Sequence, residues 1–358
     1  MKKLLLAAGG TGGHMFPAQA LAEILKAEEW DIALMTDARG QKHSGRIPAD
    51  PVVEVQAASI SPRKPIQAIK GILKLMRGVR QAKAFIKDWK PDVVVGFGGY
   101  PAFPAMRAAQ SAGLPTILHE QNAVLGRVNR VFAPKATYVV SGFEALGKVS
   151  SKANIKSLGN PMRAQIAKAV PATYEPPTNE INLLIVGGSL GARILSQCLP
   201  KAIANLPADM RARLKVVQQT TKGELETARA AYADAGVEAV CESFFSDIET
   251  HLAKAHYIVA RSGASSVSEI ALMGKPSLLI PLAIAMDDHQ TANAKSLQSH
   301  EAADILPESE FTSESVANIL QDRLNDSNWL SSAAASARAL GRPNAARDLA
   351  QLVITTVS

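Results

Sequence analysis

LLLAAGGTGGHMFP, Leu4 to Pro17, sets three leucines and two alanines against a run of glycines that closes on a histidine and a proline. A short apolar run without polar alternation suits a strand buried on both faces, as in a parallel sheet. Gly9, Gly10, Gly12 and Gly13 give the backbone freedom for a tight turn and for close approach to a ligand. Pro17 fits the first turn of the helix that follows, where its missing N–H costs nothing. Strand, glycine turn and helix start together aim N–H groups and the positive helix end at an anion. The third glycine of G-x-G-x-x-G is absent, and no Gly-Lys-Ser/Thr follows, so this is not a phosphate loop of the ATPase kind. A βα turn with no ligand is the plain alternative.

The chain has 358 residues, which favours two α/β domains over one. Its apolar content suffices for two cores, and a charged fraction of 20% argues against disorder. Cys198 and Cys241 have no disulfide or metal spacing, which points to a reducing compartment. MKKLLLAAGG mimics a signal peptide, but its apolar stretch is too short before the glycines. Leu278–Met286, the most apolar later run, contains Pro281 and is far too short to span a bilayer. A soluble or peripheral protein is expected. The net charge of +7 invites an anionic partner: nucleic acid, membrane surface or phosphorylated substrate.

Strands are expected at 32–35, 92–96, 116–119, 136–140 and 155–158, with a helix over 18–27 and a proline-started helix after GFGGYPAFP (Gly96–Pro104). Asp37 reads as a solvated loop carboxylate. Residues 62–90 carry nine basic side chains against one acidic, Asp88. Ile66, Ile69, Leu73, Met76, Val79, Ile86 and Trp89 form an apolar stripe at helical spacing within them. Such a helix can lie on an anionic membrane, or it can pack its stripe on the sheet with a solvated basic face. Both hold if off-stripe residues such as Leu75 or Phe85 point outward. A linker rich in Pro and Ala follows Gly159-Asn160-Pro161, up to Pro177.

The second half repeats the architecture without repeating the sequence. Ile181–Val186 runs into Gly187-Gly188-Ser189-Leu190-Gly191-Ala192, a second strand and glycine turn. Later strands at 215–218, 237–241, 257–260 and 277–281 alternate with helices over 222–235, 265–273 and 288–300, and helix continues from about Ser309. The alternation predicts a doubly wound parallel sheet in each half. Ala260–Glu269, ARSGASSVSE, is the strongest second site: small hydroxyl residues open a helix, and a carboxylate lies one turn inside. Glu269 offers acceptors to a ribose diol; a capping box with Ser266 is the local alternative. Asp287 and Asp288 read as helix N-caps. No Asp-x-Asp occurs, so a metal-held diphosphate is not indicated.

GGTGGHMFPA, GFGGYPAFP, HEQNAVLGRVNR, GNPMR, GGSLGAR, RSGASSVSEI and DDHQTANA occur in this order over residues 1–300. Together they resemble the bacterial N-acetylglucosaminyltransferases that convert lipid I to lipid II in peptidoglycan synthesis. The resemblance implies an α/β GT-B fold, two Rossmann-like parallel-sheet domains facing across a cleft. It divides the chain at 160/161, with a C-terminal helix at about 336–358 packing back on the first domain. The implied reaction moves GlcNAc from UDP-GlcNAc, with inversion, to the 4-hydroxyl of undecaprenyl-linked lipid I, at the cytoplasmic face of the bacterial inner membrane and without a cofactor. Residues 62–90 are expected to meet an anionic membrane surface. A basic nucleic-acid-binding protein is the alternative of another class, and few aromatics, no RNA- or DNA-reading motif and a charge concentrated in one apolar-striped helix argue against it, so no nucleic acid is expected. Another GT-B enzyme with a different nucleotide sugar or lipid acceptor is the alternative within the enzyme class.

By motif, the resemblance places Thr11, Gly12, Gly13, Asn122 and Gln290 at the donor sugar, and Arg163 and Ser189 at the diphosphate. It places Phe245 at uracil, where an aromatic departs from the family's aliphatic residue and only the backbone contact carries over. Ala264, Ser265, Ser266, Val267, Ser268 and Glu269 fall at ribose and phosphate. Gly10, Gly98, Gly99 and Tyr100 fall at the acceptor pyrophosphate. No metal is assigned. His14, between glycine turn and proline, is the candidate base for the acceptor hydroxyl.

Overall fold

The structure, a computed structural model, describes residues 1–10, 12–42, 44–58, 65–188 and 193–358, without the side chains of 65 and 66. The chain divides into two compact units, Met1–Ala164 with Pro343–Ser358, and Gln165–Arg342.

The first unit runs β1 (Lys3–Ala7), α1 (Gly12–Ala27), β2 (Asp31–Thr36), α2 (Ala38–Gln41), β3 (Val52–Glu54), α3 (Pro65–Trp89), β4 (Val93–Gly96), α4 (Gly99–Ser111), β5 (Thr116–Glu120), α5 (Arg127–Phe132), β6 (Tyr138–Ser141) and β7 (Ile155–Ser157). The strands form one parallel sheet in the order β3-β2-β1-β4-β5-β6-β7. β1 explains the unbroken apolar run. Leu4 and Leu6 enter one buried cluster with Leu21 and Leu25 of α1, while Leu5 and Ala7 enter another with Ala105 and Met106 of α4. Both faces of the strand are core, so no position is left for a polar residue.

Both glycine-led helices start earlier than their prolines suggest. α1 opens at Gly12 and α4 at Gly99, so Pro17 and Pro104 lie inside their helices rather than at the first turn. The glycines themselves become the helix starts.

α3 also differs from expectation. Its buried positions are Gly71, Leu75, Gly78, Ala82 and Ile86, spaced i, i+4, i+7, i+11 and i+15. The reason is close packing through small residues: a Cβ on Gly78 would lie 2.0 Å from the Gln56 carbonyl oxygen and 3.1 Å from Pro104 of α4. Ile69, Leu73 and Met76 of the expected inward stripe face outward, 61%, 50% and 51% exposed. Leu75, whose outward orientation would have let both readings hold, is buried.

α6 (Ala164–Lys168) falls within the linker segment. The second unit then runs β8 (Ile181–Val186), α7 (Arg193–Ala204), α8 (Ala208–Arg211), β9 (Leu214–Gln219), α9 (Leu225–Asp234), β10 (Glu238–Glu242), α10 (Ile248–Lys254), β11 (Tyr257–Arg261), α11 (Ala264–Met273), β12 (Ser277–Ile280), α12 (His289–Gln298), β13 (Ala303–Ile305), α13 (Ser313–Asn325) and α14 (Ser327–Leu340). Its parallel sheet has the order β10-β9-β8-β11-β12-β13. α15 (Ala345–Thr356) returns to the first unit, where Leu349 and Val353 join the cluster of Leu4 and Leu6.

In each sheet the strand order reverses once, between β1 and β4 and between β8 and β11. Ligands of open α/β sheets bind outside the carboxyl ends of the strands at such a switch point. The glycine-rich and serine-rich segments that the sequence singles out follow these four strands.

Candidate active site

In the first unit, the segments after β1 and β4 converge on His14. This residue is half-buried in the first turn of α1. A Cβ added to Gly99, the first residue of α4, would lie 3.3 Å from His14 Nε2. Gly98 and Gly99 have φ of 81° and 71°, the left-handed region that favours glycine. Gly98 is the N-cap of α4 and supplies no side-chain cap, so nothing on that residue competes for the first-turn N–H groups. Tyr100 follows in the same turn, half-buried.

The other ring nitrogen of His14, Nδ1, lies 2.9 Å from Gln121 Oε1. Gln121 Nε2 lies 3.1 Å from His119 Nδ1 and donates to the His119 carbonyl oxygen at 3.3 Å. His119 Nε2 is 3.2 Å from the Gly159 carbonyl oxygen. Burial, assisted by the neighbouring His14, lowers the pKa of His119 to about 4 against the raising effect of the Gly159 bond. His119 is therefore neutral at physiological pH.

Glu120, also buried, works as a staple. It accepts from the Asn122 backbone at 3.1 Å and side chain at 3.2 Å, from Gly126 N at 2.8 Å and from Asn129 Nδ2 at 2.9 Å. Asn122 is thereby held on the loop that follows β5. Arg163 lies over the Phe16 ring, 4.6 Å from its centroid, beside the first turn of α1. Asp37 is not a solvated carboxylate. It accepts from Gly10 N and from Gly40 N, each at 3.0 Å, capping α2 and holding the glycine turn at Gly10, whose φ is 84°. Its partner Gly10 lies 27 residues away, so no local pattern marks the contact. Gly12 and Gly13 belong to α1 itself. Thr11 lies outside the described residues, as does Ser189 of the second glycine turn.

In the second unit, α11 starts at Ala264 with Gly263 as N-cap and no side-chain cap. Ser266 is the third residue of the helix rather than its cap, so the capping-box alternative for Glu269 does not hold. Ala264 and Val267 are buried, while Ser265, Ser266, Ser268 and Glu269 are partly accessible. Asp287 and Asp288 have φ of 56° and 55°, and Asp288 makes no side-chain cap to α12. The side-chain cap expected of Asp288 is not made, and the chain turns there through two left-handed residues. Gln290 accepts from Leu282 N at 3.0 Å, tying α12 to the segment after β12. That segment is also held by a partly buried pair: Glu308 receives Arg261 and accepts from Ala283 N at 2.9 Å. Arg261 in turn donates to the carbonyls of Ile280 and Pro281. The Phe245 ring is buried, edge-on to His251 at 4.9 Å between centroids, so it offers no open face for stacking.

Two parallel sheets, each opening glycine-led or serine-led helix starts at its switch point, are the architecture of the GT-B class, and the family matches make it a glycosyltransferase. Residues 4–141 match the glycosyltransferase family 28 N-terminal domain, and residues 182–353 match its C-terminal domain. The UDP-N-acetylglucosamine--N-acetylmuramyl-(pentapeptide) pyrophosphoryl-undecaprenol N-acetylglucosamine transferase of Maricaulis maris is 50% identical over 98% of this chain and 97% of its own. The enzyme of the same name from Caulobacter vibrioides is 45% identical over 99% of both chains. The crystal structure of Acinetobacter baumannii MurG has a TM-score of 0.81 at 30% identity, covering 99% of this chain and 100% of its own. The chain belongs to this family of N-acetylglucosaminyltransferases.

Proposed function

We propose that the chain moves N-acetylglucosamine from UDP-GlcNAc to the 4-hydroxyl of the muramyl sugar of lipid I, with inversion, giving lipid II. The observation that carries the donor half is the α11 start, with Gly263 as N-cap and no side-chain cap. Its first-turn N–H groups and the positive helix end suit a diphosphate. Glu269, one turn on, accepts the ribose hydroxyls, and Ser265, Ser266 and Ser268 add hydroxyl donors. Gln290, whose Oε1 is occupied by Leu282 N, turns its amide N–H groups to the sugar. Arg163, Asn122 and Ser189 complete the donor contacts in this reading. As UDP departs, negative charge grows on the diphosphate, and fixed N–H dipoles with a guanidinium stabilise it without rearranging.

The acceptor half rests on the first unit. Gly10, Gly98, Gly99 and Tyr100 border the two helix starts, where N–H groups suit the lipid pyrophosphate. His14 Nε2, beside Gly99, takes the proton of the sugar hydroxyl as the new C1–O bond forms and the C1–O bond to UDP breaks. The outward face of α3 explains how a lipid-borne acceptor is met. Ile69, Ile72, Leu73 and Met76 are 46–61% exposed and interleave with exposed Lys70, Lys74 and Arg77. Apolar side chains amid basic ones on one helix suit an anionic bilayer surface, and we place the enzyme peripherally on the cytoplasmic leaflet. No described helix is long and apolar enough to cross a membrane. The deciding assay is UDP release with a lipid I analogue, run with and without EDTA. Turnover that requires the analogue and persists in EDTA is expected; no UDP release with any lipid acceptor would end the proposal.

A further inference from the structure

We infer that Gln121, backed by His119, is a positioning residue that fixes His14 as the Nδ1–H tautomer and leaves its Nε2 lone pair facing Gly99. This rests on the reading of His14 as base and adds what makes it one.

The argument is a chain of forced donors and acceptors. A carbonyl oxygen only accepts, so His119 Nε2, 3.2 Å from Gly159 O, carries the proton of that ring. Neutral His119 then has only a lone pair at Nδ1. Gln121 Nε2 faces both that lone pair, at 3.1 Å, and the His119 carbonyl, at 3.3 Å. Both are acceptors, so the atom between them must be the amide NH2, with one hydrogen for each. The orientation of the amide is settled by its partners rather than by choice. Its other atom, Oε1, can only accept, and it lies 2.9 Å from His14 Nδ1. His14 Nδ1 therefore carries hydrogen, and when the ring is neutral its proton-accepting atom is Nε2. That is the nitrogen beside Gly99, a residue with no side chain of its own.

The arrangement is well anchored. Gln121 is buried, and its own carbonyl accepts from Asn160 Nδ2 at 3.0 Å. Burial keeps His119 neutral, which the chain requires. A protonated His119 would present N–H to Gln121, and the amide would have to turn over. It would then direct NH2 at His14 and place the lone pair on Nδ1, away from Gly99. A histidine side chain free in water favours the opposite tautomer, Nε2–H, so the inferred state is one that the protein has to impose.

Long-range 1H–15N spectra of the full chain labelled at histidine read the tautomer directly. His14 is assigned by comparison with His14→Ala. The expected wild-type spectrum shows a pyrrole-type Nδ1 and a pyridine-type Nε2 for His14; a pyrrole-type Nε2 would overturn the inference without any substitution. Gln121→Met removes both polar atoms at similar length. It should shift His14 towards Nε2–H and lower kcat roughly 10- to 100-fold, up to the lower end of what a general base contributes because the base itself is retained, with KM for UDP-GlcNAc unchanged. Gln121→Glu keeps an acceptor for Nδ1 and should hold the Nδ1–H tautomer and recover part of kcat. Equal kcat for wild type and Gln121→Met, where His14→Ala has lost turnover, would also refute it. Full turnover by His14→Ala with a pyrrole-type Nδ1 in wild type would instead remove the base reading and leave the tautomer assignment standing, so the two failures are distinct.

Discussion

Gly99→Ala and Gly113→Ala form a matched pair at the two ends of α4. Both glycines have φ of 71°. An L-residue in the left-handed region costs roughly 1–2 kcal/mol, so each variant should lose about that much stability. The surroundings differ. A Cβ at Gly113 meets nothing within 4 Å, whereas one at Gly99 lies 3.3 Å from His14 Nε2 and 3.3 Å from Pro101 Cδ. At that distance the neighbour must give by a few tenths of an ångström. A misplacement of about 1 Å in a reacting group can cost on the order of 100-fold in rate, so a shift of this size should cost roughly tenfold. Urea unfolding and UDP release with a lipid I analogue separate the two effects. Both variants should unfold at lower urea, and only Gly99→Ala should lose kcat. Equal kcat in the two would show that the space beside Nε2 is not where the acceptor hydroxyl sits.

Acid should weaken the fold through His119. Its folded pKa of about 4 lies below the ordinary 6.5, so the unfolded chain binds more protons between these values. Stability then rises with pH through that window, and about 3 kcal/mol is lost on going from pH 6.5 to 4; ΔG of unfolding against pH, flatter for His119→Asn, checks this. Replacing Lys70, Lys74 and Arg77 with Glu should cut binding to anionic vesicles by roughly 100-fold or more, since each basic residue contributes about 1 kcal/mol. Vesicle sedimentation measures it, and undiminished binding would move the membrane contact off α3. Glu308→Gln should loosen the segment that Gln290 is tied to, raising KM for UDP-GlcNAc several-fold with kcat less affected; steady-state kinetics at saturating acceptor decide.

The elements that were legible in the sequence are those whose signal is local. Leu4–Ala7 and Ile181–Val186 are continuous apolar runs ahead of glycines, and both are central strands. The three-residue strands at Val52–Glu54 and Ala303–Ile305 sit at sheet edges and carry too few residues for a pattern. The buried face of α3 differs from the apolar stripe because Gly71 and Gly78, both buried, carry no hydrophobic signal, and at Gly78 the Gln56 carbonyl and Pro104 of α4 come close. Tight packing selected the face with the smallest side chains, and the larger apolar residues were left outside. The prolines at 17 and 104 drew the helix starts too late, since glycines do not announce a helix. At the candidate site, His14 stood out by its place in a glycine turn. Its partner Gln121 lies 107 residues on, and Gly159 lies 40 residues beyond His119. Bonds between side chains that far apart leave no periodicity to read.

The account depends most on a nucleotide held by the start of α11. A crystal structure of the full chain with UDP tests it directly. The diphosphate should lie against the N–H groups of Gly263 to Ser266, with the ribose hydroxyls on Glu269. A nucleotide bound instead at the starts of α1 and α4, beside His14, would contradict it.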